Sequence, residues 1–378
     1  MYRICISIIK FTINFENCCL NIAKHLLWNG KKVRKEKKIC VYKLGNIGDL
    51  ICAIPALYKI REKYPNSIIT VLNCPGKKGN IGADIVLTCL DWIDEIKIYN
   101  SEDIRGIKNI LSFLKSFKLE SFDYLIQLPA EKTTFFTQIR NMLFFKLTNV
   151  ECAEGFYVST IKLFKKQQLL YLKNKCEVER LIDGLPFETN RNVDFKITIL
   201  DEDKIYVEHK LYKYNILTED NIMMISPFAK ASCNIWENNR FKEIADRWTA
   251  NGGVVIVIGG EKEIGDRFCN YENTKIINLC GVFTLNQSMY LLTKAKFLLT
   301  LDTGTAHMAA AMGVPMITIM SSCYFEEKWK AYGRNKIFRK NLGCSPCLKK
   351  TCKYGDNRCI NSITVDDVWY YIEKVYLK

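Results

Sequence analysis

The chain has 378 residues, 48% hydrophobic and 25% charged, a soluble globular composition long enough for two domains of ordinary size. Lys and Arg total 55 against 40 Asp and Glu, a net charge of +15 that favours anionic partners: phosphorylated sugars, nucleic acid or an acidic lipid surface. The N-terminal apolar run is broken by Lys10, Asn14 and Glu16, so neither a secretory signal nor a membrane span is expected, and the 17 cysteines are expected to stay reduced.

In chain order, Ile4, Ile8, Phe11, Phe15, Cys18, Ile22 and Leu26 recur at spacings of four and three, which is one face of a helix. A basic run follows: Lys31, Lys32, Arg34, Lys35, Lys37 and Lys38. Residues 1–38 therefore read as an amphipathic helix and basic linker. The segment either lies in an anionic membrane interface or packs on the body of the protein with a solvated linker. Residues 38–43 (KICVYK) read as a buried strand, 44–49 as a turn, 50–64 as a helix with Pro55 early in it, and 67–72 as the next strand. That order opens a doubly wound, Rossmann-like domain. Residues 85–90, 95–99 and 123–128 are further strand candidates and 107–117 a helix; no element is assigned from about 130 to 205.

A second alternation begins at residues 221–226. Loop 227–234 precedes a helix at 240–251, which Gly252 and Gly253 stop, and a strand at 254–258 ends at Gly259-Gly260-Glu261. Strands follow at 276–279, 297–301 and 316–320, with helices at 286–295 and 306–312, and residues 363–368 open a last helix. The fold class is α/β, with Rossmann-like domains at 39–210 and 211–378. Two such domains imply a cleft with ligands at the carboxyl ends of strands.

Candidate chemistry falls at those strand ends. Asp302-Thr303-Gly304-Thr305 joins a strand to a helix N-terminus, whose free amides and dipole suit a phosphate; Asp302, Thr303 and His307 sit on its rim. The plainer reading is an ordinary βα junction with Asp302 or Thr305 as cap. In Gly45-Asn46-Ile47-Gly48-Asp49 the glycines allow close backbone approach and Asp49 stands at a helix start, where the dipole alone could account for it. Glu261 is placed to accept hydrogen bonds from ribose hydroxyls. Cys344, Cys347, Cys352 and Cys359 form C-x2-C-x4-C-x6-C, a spacing that in isolation looks like a zinc site, against the alternative of free packed thiols.

Asp302-Thr303-Gly304 with His307 and Gly313-Val314-Pro315, Ile47-Gly48-Asp49 with Ala53-Ile54-Pro55-Ala56, and Trp236 before Arg240-Phe241 stand in an order that resembles the heptosyltransferase family of glycosyltransferases. The resemblance covers residues 39–378. It implies a GT-B fold, acceptor on the N-terminal domain, donor on the C-terminal one, and inverting transfer of a heptose from a nucleotide diphosphate sugar, such as ADP-heptose, to a lipopolysaccharide core. It implies Asp49 as catalytic base, the amides of Thr303, Gly304 and Thr305 on the diphosphate, Asp302 and His307 toward sugar and phosphates, Glu261 on the ribose, and Phe283 against the base. Gly45, Asn46 and Gly48 form the acceptor-side loop. The family's basic residue two before the Trp is here Asn234, and Lys230 in the same loop is the candidate substitute. A C-x-P-C segment ahead of an I-T-x-x-D-V helix also recurs in the family, which favours a structural role for the cysteines. With no D-x-D signature, neither a catalytic metal nor another cofactor is expected. The expected partners are a nucleotide sugar, an anionic glycolipid acceptor and the cytoplasmic membrane face; basic residues with interleaved aromatics are lacking, which argues against nucleic acid. The alternatives are a family member with another donor sugar, or a nucleotide-sugar binder without turnover.

Overall fold

The computed structural model describes residues 2–29, 37–76, 83–161, 175–217, 221–260 and 273–377, and divides into two compact units at 196/197. The first unit runs α1 (Tyr2–Trp28), β1 (Lys38–Leu44), α2 (Ile47–Ile51), α3 (Ile54–Lys63), β2 (Ile68–Cys74), α4 (Ala83–Thr88), β3 (Glu95–Ile98), α5 (Ile107–Leu119), β4 (Tyr124–Leu128), α6 (Phe135–Leu147), β5 (Cys152–Glu154) and α7 (Glu177–Asp183). Its strands pair in parallel in the order β3-β2-β1-β4-β5, with Ile39 beside Ile69 and Tyr124. β1 and β4 are buried almost throughout, which is why they read as continuous apolar runs.

The structure revises three local readings. Residues 85–88 form the end of α4, and 89–90 the turn after it, instead of a strand: Val86 and Leu87 are fully buried, and a short apolar run does not distinguish a buried helix from a strand. The helix expected over 50–64 is broken at Cys52-Ala53 into α2 and α3, and Pro55 takes the second position of α3, where its missing N–H costs nothing. The stripe from Ile4 to Leu26 is not the face by which α1 is held. Ile9, Ile13, Leu20 and Trp28 pack onto the sheet, Trp28 Nε1 donating to Val150 O at 3.0 Å, while the stripe side chains run from 41% (Ile8) to 72% (Phe11) exposed. Residues 30–36 of the basic run lie outside the described residues.

The second unit runs α8 (Asp201–Lys213), β6 (Ile222–Ser226), a 3-10 turn (Ser232–Asn234), α9 (Asn238–Ala250), β7 (Val254–Val257), β8 (Ile276–Asn278), α10 (Leu285–Leu292), β9 (Phe297–Leu301), α11 (Gly304–Ala311), β10 (Met316–Ile319), α12 (Glu326–Trp329), β11 (Asn335–Phe338), α13 (Arg358–Asn361) and α14 (Val365–Tyr376). The sheet is parallel, ordered β11-β10-β9-β6-β7-β8. Its core gathers Trp236, Phe241, Trp248, Phe297, Val368 and Ile372. The two indoles are fully buried and satisfied: Trp236 Nε1 donates to Ile363 O at 3.1 Å and Trp248 Nε1 to Asn221 O at 3.0 Å. Thr364 and Asp367 cap α14 reciprocally, at 3.1 Å in both directions, as the residue pattern there leads one to expect.

Candidate active site

In the first sheet the chain leaves β1 toward β2 on one side and reaches β4 on the other, so β1 and β4 flank the topological switch point, where doubly wound sheets open a crevice. The turn after β1 lies there. Gly45 has φ +140°, and a Cβ on it would sit 2.3 Å from Asp49 Cβ. Only glycine lets the Asp49 side chain fold back over the turn. Asn46 N donates to Asp49 Oδ2 at 3.0 Å, a capping-box bond that holds the carboxylate at the start of α2.

Asp49 belongs to a buried charged group that the sequence reading missed. Lys43 is fully buried at the end of β1, its Nζ 3.8 Å from Glu177 Oε1 on α7 and without a hydrogen-bond partner among the described residues. Arg180 grips Glu177 with two bonds, of 2.6 and 2.7 Å, and also donates to Pro129 O and Tyr157 Oη. Desolvation raises the Asp49 carboxyl above the ordinary range. Lys43 and the Asn46 N–H pull it back down, while Glu177 and Glu131 push it up. Desolvation lowers Lys43. The one sequence signal was a lysine inside an otherwise apolar strand; Glu177 and Arg180 lie in the stretch to which no element could be assigned.

A carboxylate that works as a base is active when ionised, so its rate falls as pH drops through its raised pKa. Replacing Lys43 by Met removes the cation that lowers that pKa. The acid limb of the pH–rate profile of Lys43→Met is expected to move to higher pH, with the plateau rate less affected. A limb that stays in place would uncouple Lys43 from Asp49.

The second sheet repeats the arrangement, with β6 and β9 flanking its switch point. Thr300 Oγ1 donates to Ser226 O and Ser226 Oγ to Thr305 Oγ1, each at 3.2 Å, tying the end of β6 to the start of α11. Thr303 is the N-cap of α11, and Gly304 and Thr305 form its first turn, whose amides lack intrahelical acceptors. Desolvation pushes the Asp302 carboxyl up to about 7, so part of it keeps a proton near neutral pH. His307 is buried in α11. In the loop after β6, Lys230 is exposed, whereas the Asn234 amide oxygen accepts from Ser321 Oγ at 2.5 Å and Cys233 Sγ at 3.5 Å. Phe283 is half-buried with its ring edge-on to Tyr206, centroids 6.2 Å apart. Glu261 lies outside the described residues.

Of the two readings of the cysteine spacing, the zinc site is the one the structure does not support. Among the described residues no group of three or more His, Cys, Asp or Glu is placed to hold a metal, so Cys344, Cys347, Cys352 and Cys359 do not form the zinc site their spacing allowed. Cys359 and Cys233 each meet Cys323, in the loop after β10, through thiol hydrogen bonds. The Cys233 contact, with burial, pushes the Cys323 thiol up to about 12 although the Cys359 contact pulls it down, and the Cys323 contact with burial pushes Cys359 up to about 12. With Leu348 N on Cys323 O these contacts fasten neighbouring loops together.

Residues 110–357 match the family described as glycosyltransferase family 9 (heptosyltransferase). Lipooligosaccharide heptosyltransferase 2 of Campylobacter jejuni is 23% identical over 344 residues, covering 88% of this chain and 96% of that protein. A glycosyl transferase family 9 structure from Veillonella parvula superposes with TM-score 0.70 at 19% identity, over 91% of this chain and 98% of that one. E. coli heptosyltransferase WaaC with ADP gives TM-score 0.61 at 16% identity, over 89% and 99%. The two-sheet α/β architecture is thus that of the GT-B-like heptosyltransferase structures.

Proposed function

Because the chain belongs to glycosyltransferase family 9, the heptosyltransferases, we propose that it moves a heptose from a nucleoside diphosphate donor, ADP-heptose, to a lipopolysaccharide core acceptor, with inversion at the anomeric carbon. The observation that carries this reading is the Asp302–Thr305 junction at the switch point of the second sheet, in a chain of this family. Similarity to a structure that holds ADP supports the choice of nucleotide.

In this reading the second unit holds the donor. The first-turn amides of α11 and the dipole behind them take up charge on the departing diphosphate, and Asp302 in its protonated form donates a hydrogen bond instead of opposing it. Asp49 of the first unit removes the proton of the acceptor hydroxyl as that oxygen attacks the anomeric carbon; the bond to the diphosphate oxygen breaks, and the electron pair leaves with the nucleoside diphosphate. Amides and a lysine supply the countercharge, so the reading needs no metal ion. A core acceptor is an anionic glycolipid, and in this reading the enzyme works on it at the cytoplasmic face of a membrane, where nucleotide sugars are available.

The test is a donor panel. With a core acceptor, the purified chain is expected to release ADP from ADP-heptose and to yield an acceptor heavier by one heptose, with the opposite anomeric configuration. Turnover of a hexose donor with none of ADP-heptose would overturn the donor assignment in favour of a family member with another sugar. Binding without turnover of any donor would favour the non-catalytic alternative.

A further inference from the structure

α1, α5 and α6 cover one face of the first sheet. α1 packs against α6 and β5, and α6 meets α5 through Phe144 on Phe113 and Phe145 on Phe117. Each helix buries one apolar face and leaves another in solvent. The outward stripe of α1 was described above; α5 adds Ile107, Leu111 and Leu119, and α6 adds Phe136, Leu143 and Leu147, all more than half exposed. By contrast, α8 and α14, which also expose some apolar side chains, carry several carboxylates each.

The charge on this layer is one-sided. α5 and α6 carry Lys108, Lys115, Lys118, Arg140 and Lys146 and no carboxylate, and the single acid of α1, Glu16, is partly buried. In sequence, α1 runs directly into the basic stretch of residues 31–38. A second copy of the chain would set this face against itself, largely cation against cation. Nucleic acid would reward the cations but not an aliphatic and phenylalanine stripe. A bilayer interface rich in anionic lipid rewards both. α1, with 27 residues, is about 40 Å long and is fixed by its buried face along the sheet, so it can lie in such an interface. No described helix is long and apolar enough to cross one.

We propose that the outward surface of α1, α5 and α6 is the docking surface of this enzyme for an anionic lipid bilayer, with apolar side chains entering the headgroup boundary and lysines on the phosphates. The proposal rests on the membrane-bound acceptor inferred above and adds the surface that meets the membrane.

Deleting residues 1–38 would not test it, because Ile9 and Leu20 belong to the core. Surface substitutions on the full chain do. The wild type is expected to sediment with phosphatidylcholine vesicles containing phosphatidylglycerol, less so at high salt, and not with pure phosphatidylcholine. Phe11→Ser with Phe15→Ser on α1, and separately Lys115→Glu with Arg140→Glu on α5 and α6, are each expected to weaken binding about tenfold or more with an unchanged thermal melt. Wild-type binding by both variants, or no binding by the wild type, overturns the proposal. So does a concentration-dependent dimer in light scattering that these substitutions dissolve, because the face would then be a self-interface. Transfer to a soluble acceptor fragment, measured on the same samples, reports on the enzymatic reading alone: vesicle binding without transfer would indict that reading and leave the surface standing.

Discussion

Asp49→Asn is expected to lower transfer by roughly 10²–10⁴-fold, the contribution of a positioned general base, while leaving fold and donor affinity nearly intact. The turn that carries the residue does not need its charge. Asn46 N donates to one carboxylate oxygen, and an asparagine amide oxygen can accept the same bond at the same place. The room that Gly45 makes is unchanged, since Asp and Asn have the same shape. Stability should not suffer either. The folded-state pKa of Asp49 is raised, so the ionised form is the one that folding disfavours, and that penalty is present above the ordinary carboxylate range and relieved as pH falls. A neutral asparagine escapes it. Single-turnover transfer, calorimetric titration with nucleoside diphosphate and a thermal melt together check the expectation. A variant that keeps more than about a tenth of the wild-type rate would remove Asp49 from the role of base.

The parts of this site that could be read from the sequence are those whose logic is local. A strand, a glycine turn and a helix start are written within a dozen residues, and both switch-point junctions are found, with their helices starting at Ile47 and Gly304, a few residues before the positions read from the sequence. What was missed depends on distant partners. Lys43 acquires meaning only beside Glu177, 134 positions later, and nothing near either residue announces the other. The cysteine spacing of 344–359 suggested a local ligand set, but the thiol of Cys359 finds Cys323 and, through it, Cys233. The periodicity of α1 located an apolar stripe correctly but could not say which way it turns. The helix is apolar on more than one side, and a 3.6-residue period identifies a face without naming its neighbour.

Lys230→Ala is expected to lower turnover about 10²-fold, the effect of losing a main contact to the leaving diphosphate. The position at which the family resemblance expects a cation is Asn234, which is neutral and already engaged: its amide oxygen takes hydrogen bonds from Ser321 and Cys233, which turn it toward the end of β10. Lys230 lies four residues earlier in the loop that leaves β6 at the switch point, and it is exposed. A lysine side chain is long, flexible and a compact charge, suited to reach a phosphate from a neighbouring position without fixed fork geometry. If Lys230 supplies the countercharge, Asn234→Lys should be neutral or activating in the wild type and should restore much of the rate lost in Lys230→Ala, since either cation can then meet the diphosphate. If the amides of Gly304 and Thr305 carry the phosphates alone, Lys230→Ala will be nearly silent. A donor-concentration series on the two single variants and the double variant separates these cases, a lost phosphate contact appearing in the donor KM as well as in kcat. A silent Lys230→Ala together with strong activation by Asn234→Lys would mean that the natural chain lacks the countercharge altogether, and would favour a nucleotide-sugar-binding role over the transfer reaction proposed for it.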